Sequence, residues 1–441
     1  MQKKVLALAA TAAFAATGPT LAETVVQNAT DTVELYATVY PTIGWIKYGE
    51  GHTGPNGTGS SVPSMSKADM TGAGSNFGVR ARHNLGGGMS AWVQIEQNAP
   101  LERENTAAVT VASRNSAAGV QGQFGNVFAG QWTTPWADLE SLWNVGTVGL
   151  QGPSLLIMGR RETTGGTPSN LGSACGSFAS GGITTPATLC DAVAGAGGVG
   201  HPFWRRASSI IRYTSPVLSG VIFDVLYQVP ETKRVISAAG TPVAEYNPSM
   251  WSTSVQWSGM EGRARIGVSY DRHKEFTSIG NTDTGWAVKG GWNFGVVDVG
   301  AAVEFMTYKC GVINGPPSAS SAPFSACVAT GGDVKAKQWG LAAAVPVTAK
   351  GRIRGAYSKA ADLSGSGTLV ASDTGAKEWN LGYEHRYDKS ASLGVGYAKI
   401  DNGANANFTW TGMAVQQNGL QNNASPGSSV DWLFVNLTYR F

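Results

Sequence analysis

The chain of 441 residues carries a formal net charge of +3, with 14% charged residues, 59 glycines, 14 tryptophans and a mean hydropathy of −0.08. That balance offers nucleic acid no basic block, and no apolar run approaches the roughly 18 residues that a membrane helix needs. It suits a protein with one face towards lipid and one towards water, although a soluble all-β protein shares the same composition.

The first segment runs from Lys3 and Lys4 through the apolar and small residues Val5 to Ala16 to Thr20, Leu21 and Ala22. A basic start, a short apolar stretch and a small-residue site form the pattern of a cleaved secretory signal peptide. Residues 1–22 are therefore expected to be removed after Ala22, leaving 23–441 as one domain.

Side chains alternate across a β-strand, and alternation bounded by turn residues predicts about sixteen strands. The first five are 33–45, 76–83, 89–97, 114–121 and 126–132. After a long interruption come 208–215, 221–230, 250–258, 263–272, 284–294 and 296–308. The last are 334–346, 352–360, 377–387, 393–400 and the terminal strand 430–441. Their faces are distinct: Trp379, Leu381 and Tyr383 oppose Glu378, Asn380 and Glu384. In the terminal strand Leu433, Val435, Leu437, Tyr439 and Phe441 oppose Asn436, Thr438 and Arg440. Trp45, Trp132, Trp251, Trp257, Tyr270 and Trp292, near strand ends, are expected in interfacial aromatic girdles.

Connections alternate between tight turns (85–88, 122–125, 218–220, 388–391) and long stretches rich in Gly, Ser, Thr, Asn and Pro (48–75, 133–207, 309–332, 401–429). That alternation suits a barrel with one rim of turns and one of loops. Lipid demands that every backbone polar group be paired, and a strand protein satisfies this only by closing. The expected fold is thus all-β, a transmembrane antiparallel barrel. In an exported chain, Cys175 with Cys190 and Cys310 with Cys327 are the natural disulfides, each within one long loop.

The terminal strand, closed by an aromatic residue, looks like that of outer-membrane β-barrel proteins. Asn76 to Glu96, with its run of three glycines, is similar to the second hairpin of the general trimeric porins of Gram-negative bacteria, in their β-proteobacterial form. Arg114 to Gly130 and Arg206 to Gly220 resemble later segments of the same family. The resemblance implies sixteen strands, a homotrimer, passive diffusion of small hydrophilic solutes, and a third loop, 133–207, folded into the lumen. It also implies outer-membrane lipid and the barrel-assembly machinery as partners, the latter through the C-terminal strand with Tyr439 and Phe441, and no cofactor. Gln131 stands where the family usually has arginine, and Tyr40 where it has aspartate, which leaves pore size and ion preference open.

A porin's site is a constriction selected by width and fixed charge. Arg80, Arg82, Arg114 and Arg212 share the wet face of early strands, and with Lys47 they are expected to form a basic wall. Residues 134–143 read as a short helix, with Thr134 as N-cap and Pro135 in its first turn. Its Asp138 and Glu140 are the candidate opposing acids. Arg263, Arg265, Arg352 and Arg354 belong by parity to the general lumen. A substrate-selective channel on the same barrel, lined by Trp136, Trp143, Phe178, Phe203 and Trp204, is the alternative. An outer-membrane enzyme would need a nucleophile beside outward-facing His385, and the sequence offers no convincing serine. No metal spacing appears among the five histidines.

Overall fold

The computed structural model describes residues 22–52, 60–71, 75–99, 101, 111–148, 203–229, 234–238, 241–246, 249–274, 281–310, 332–362, 364–365, 372–404, 406, 408 and 424–441. They form a closed antiparallel barrel of sixteen strands. Two strands are interrupted: β1 (Asp31–Val39, resuming as Thr42–Tyr48) and β2 (Met65–Thr71 and Asn76–Gly86). Then come β3 (Met89–Asn98), β4 (Ser116–Gly122), β5 (Gly125–Thr133), β6 (Arg206–Thr214), β7 (Val221–Gln228) and β8 (Ser249–Gly259). The series continues with β9 (Ala264–Lys274), β10 (Thr282–Asn293), β11 (Asp298–Cys310) and β12 (Gly332–Pro346). It ends with β13 (Gly351–Ala360), β14 (Ala376–Arg386), β15 (Ala391–Asn402) and β16 (Ser429–Arg440). Every strand expected from the alternation is present.

The alternation has the physical outcome that a membrane demands. On β16 Leu433, Val435, Leu437 and Tyr439 face outward and exposed, while Trp432, Phe434, Asn436 and Thr438 are buried within the barrel. Ile43, Val255, Val268, Leu341 and Leu381 continue the outward apolar band. A contiguous apolar surface of this extent needs lipid as its solvent. Aromatics flank the band, with Trp45, Trp251, Tyr270 and Trp286 towards the loop rim and Trp257, Trp292, Tyr387 and Tyr439 towards the turn rim. Trp132 departs from the expected girdle. It shares the inward parity of Phe128 and packs inside against Trp92 and Phe128, with ring centroids 6.0 and 5.2 Å away.

At the turn rim β2 passes to β3 through Gly86, Gly87 and Gly88, all left-handed at φ 82°, 60° and 78°. Only glycine adopts three such conformations in succession at little cost. Closure is made by β16 against β1. Pro41 has no N–H for the ladder, and β1 breaks there. The polar groups around the break find other partners. The Tyr40 N–H donates to Ser75 Oγ at 3.1 Å, Leu437 N–H donates to the Pro41 carbonyl at 3.1 Å, and Asn436 Nδ2 donates to Thr42 Oγ1 at 2.7 Å. The last residue, Phe441, exchanges backbone hydrogen bonds of 2.9 and 3.1 Å with Ala37. Below that point the same edge of β1 is covered by the strand Glu23–Gln27.

Candidate functional site: the lumen and its inserted segment

After β5 the chain turns into the lumen. Thr134 caps helix α1 (Pro135–Asp138), accepting from the Ala137 N–H at 3.3 Å and donating to the Phe203 carbonyl at 3.0 Å. The sequence suggested one helix over 134–143. The structure has two single turns, α1 and α2 (Glu140–Trp143), joined at Leu139. Residues two apart face opposite sides of a continuous helix of about 3.6 residues per turn. The break lets both Asp138 and Glu140 reach the barrel wall.

They reach it as ion pairs. Asp138 lies 2.6 Å from Arg212 of β6, which also holds Asp224 of β7 at 2.8 Å. Glu140 lies 2.8 Å from Lys289 of β10, which also holds Glu304 of β11 at 2.7 Å. Glu304 further accepts from Trp136 Nε1 at 3.0 Å and Gln338 Nε2 at 2.6 Å. Two arginines grip the segment's backbone: Arg265 donates to the Leu142 carbonyl at 2.7 Å and Arg354 to the Val145 carbonyl at 2.6 Å. The wall makes room through glycine. A side chain at Gly300 would strike the Trp143 carbonyl, and one at Gly267 would strike Leu139 and Leu142. Burial raises the Asp138 and Glu140 carboxyls above the ordinary range, against the opposing pull of Arg212 and Lys289.

The expected acidic row is therefore not open to solutes: Asp138 and Glu140 are clamps. Arg212 is a clamp too, buried under Asp138 and Asp224 and donating to the Thr133 carbonyl at 3.0 Å. Lys47 is no part of the lumen. It shares the outward face of Ile43 and Trp45 on β1, opposite Asp431 of β16. Arg80, Arg82 and Arg114 do come together, on wall that the described part of the segment leaves uncovered. Arg80 donates twice to Gln94 Oε1, at 3.1 and 2.9 Å, and stands 3.6 Å from Glu34. Arg114 pairs with Glu96 at 2.6 Å, and Glu96 also accepts from the Tyr36 hydroxyl at 3.0 Å. Arg82 is exposed. Two further exposed arginines, Arg352 of β13 and Arg386 of β14, point inward beside buried Glu384.

Buried lumenal charge includes both signs, since Arg212 and Lys289 are buried with their acids; Glu34 is partly exposed. Asp138, Glu140, Asp224, Asp271, Glu304 and Glu378 are buried or nearly so, whereas Arg82, Arg352 and Arg386 are exposed to solvent. Trp136, Trp143 and Phe203 are fully buried and line no track; Phe178 lies outside the described residues. So do Cys175, Cys190 and Cys327, while Cys310 ends β11 with its side chain undescribed. Lys289, the centre of the second clamp, is not among the candidates that the sequence offers. Inward parity marks it on β10, but its partner Glu140 lies 149 residues away. Among the described residues no group of three His, Cys, Asp or Glu side chains could hold a metal ion.

The model of the Gram-negative porin family matches residues 7–405. Among solved structures, the anion-selective porin from Comamonas acidovorans is similar at a TM-score of 0.61 and 19% identity, over 93% of this chain and 100% of that one. OmpT, an outer membrane protein of Vibrio cholerae, is similar at a TM-score of 0.56 and 13% identity, over 95% and 100%. No curated protein sequence matches the chain significantly.

Proposed function

Since the chain belongs to the Gram-negative porin family and forms an outer-membrane channel for passive diffusion, we propose that its aperture is set by the clamped segment Thr133–Val148 and that its charge gives a mild anion preference. One observation carries the second half: the arginines Arg82, Arg352 and Arg386 meet the solution, while the carboxylates nearest the segment are buried in pairs. A pore selects by width and by the charges that a solute meets. The solved anion-selective porin of Comamonas acidovorans, similar in fold, agrees with that sign. Arg80 and Arg114 add to the field less, since Glu34 and Glu96 balance them; Arg386 is balanced only in part, because its partner Glu384, 3.0 Å away, is shared with Arg354. The same reading includes cleavage after Ala22, a homotrimer and recognition of β16 by the barrel-assembly machinery.

The test is the zero-current potential of the refolded protein in a planar bilayer under a KCl gradient. Chloride preference is expected, and R82E/R352E/R386E should reverse its sign. A wild-type channel that prefers potassium would refute the assignment. Closures in groups of three would support the trimer.

A further inference from the structure

Lys47 is one of several cations on the barrel's outer face near the loop rim. Among the described residues the densest group spans three adjacent strands: Lys335 and Lys337 of β12, Lys359 of β13 and Lys377 of β14. Their direction is fixed by parity. Lys335 and Lys337 follow the outward face of Leu341, Lys359 that of Ile353 and Lys377 that of Leu381, all three of which are exposed apolar residues. Register places Lys359 directly opposite Lys377 on one side and Trp339 on the other. Lys337 Nζ lies 5.2 Å from the ring centroid of Phe305.

Neighbouring outward cations have acids. Lys309 pairs with Asp333, and Lys399 pairs with Asp401 at 2.8 Å. Among the described residues, none of Lys335, Lys337, Lys359 and Lys377 has a carboxylate within ion-pair distance. Like charges facing each other across a ladder destabilise it. Lysines also protect exposed sheet edges, but a closed barrel has none. The fold therefore supplies no reason for this cluster. Its depth does. Along each strand an outward ring follows a lysine two residues towards the turn rim, Trp339 after Lys337, Tyr357 after Lys359 and Trp379 after Lys377, at the depth where aromatic side chains meet headgroups. Lysine stems extended past those rings carry their ammonium groups into the headgroup region.

We infer that Lys335, Lys337, Lys359 and Lys377 form a binding site for the phosphate groups of a phosphorylated lipid in the leaflet that the loop rim faces. Phosphate supplies the missing anion, and acyl chains cover the apolar wall and rings below. A soluble anion would use only the first half of this surface. The inference rests on the barrel's membrane orientation and is independent of the lumen's ion preference.

The refolded protein in zwitterionic detergent would be titrated with bis-phosphorylated lipid A, with its dephosphorylated form and with inorganic phosphate, and bound lipid read by native mass spectrometry. The phosphorylated lipid should bind best. Each lysine replaced in the series ending at K335Q/K337Q/K359Q/K377Q should weaken it about fivefold. Single-channel conductance should stay at the wild-type value, because these side chains lie outside the lumen. Equal binding by the quadruple variant, or by the dephosphorylated lipid, would overturn the site. Displacement of the lipid by millimolar inorganic phosphate would reassign it to small anions and overturn it as a lipid site. Should the quadruple variant fail to fold, the wild-type protein still decides. Its lipid binding must fall towards about 1 M salt, where charges are screened within a few ångström, and salt-insensitive binding would refute the inference.

Discussion

Lys289 stands between carboxylates from different parts of the chain, Glu140 of α2 and Glu304 of β11, and all three are buried or nearly so. Removing the cation leaves two buried anions uncompensated, and breaking a buried pair costs about 3–5 kcal/mol. K289M should therefore lower the temperature of the heat-modifiable transition and add flicker to the single-channel current. K289M/E140Q should recover part of both, since it withdraws one of the stranded charges. Acid should act on the same clamps from the other side. The Asp138 and Glu140 carboxyls are raised, so on acidification they take up protons before ordinary carboxyls do. Each proton removes a negative charge and leaves Arg212 or Lys289 less balanced. Anion preference should grow as pH falls, starting above the usual carboxylate range. In D138N/E140Q that early part of the rise should vanish from the reversal potential. The charges themselves were readable from the sequence; their roles were not. Alternation says that Arg212 points inward, but whether it meets solute or Asp138 depends on where a loop from another part of the chain comes to lie.

The inserted segment is held along a line of wall rather than at a point, with attachments on β6, β9, β10 and β13. Its close approach depends on Gly300, which leaves space for the Trp143 carbonyl. G300V should push α2 off the wall, so single-channel conductance should change while the outer strands stay paired; unchanged conductance would mean that the segment does not set the aperture. The capping signal was legible in Thr134 and Pro135, because a cap is a local event. The break at Leu139 was not, because it serves two partners on different strands. Lys47 shows the opposite case. Its outward direction follows from the parity of Ile43 and Trp45 alone, and charge type misled where periodicity already answered.

The whole barrel was the most legible feature, since sixteen runs of alternation each repeat the same instruction: apolar to lipid, polar to water. Closure depends on one seam, where Phe441 meets Ala37 and Pro41 interrupts the ladder. Deleting Phe441 removes the last two backbone bonds of that seam and one outward ring. The yield of heat-modifiable barrel on refolding should fall, with little change in the conductance of the molecules that do close. Because the inserted segment is electrically balanced by the wall beneath it, the proposed aperture and the proposed polarity are separable variables. Arginines on wall that the described segment does not touch can be exchanged without moving it, and the segment can be reshaped without resetting the sign. A lineage could drift from one class of nutrient ion to another by single substitutions, each leaving a working sieve.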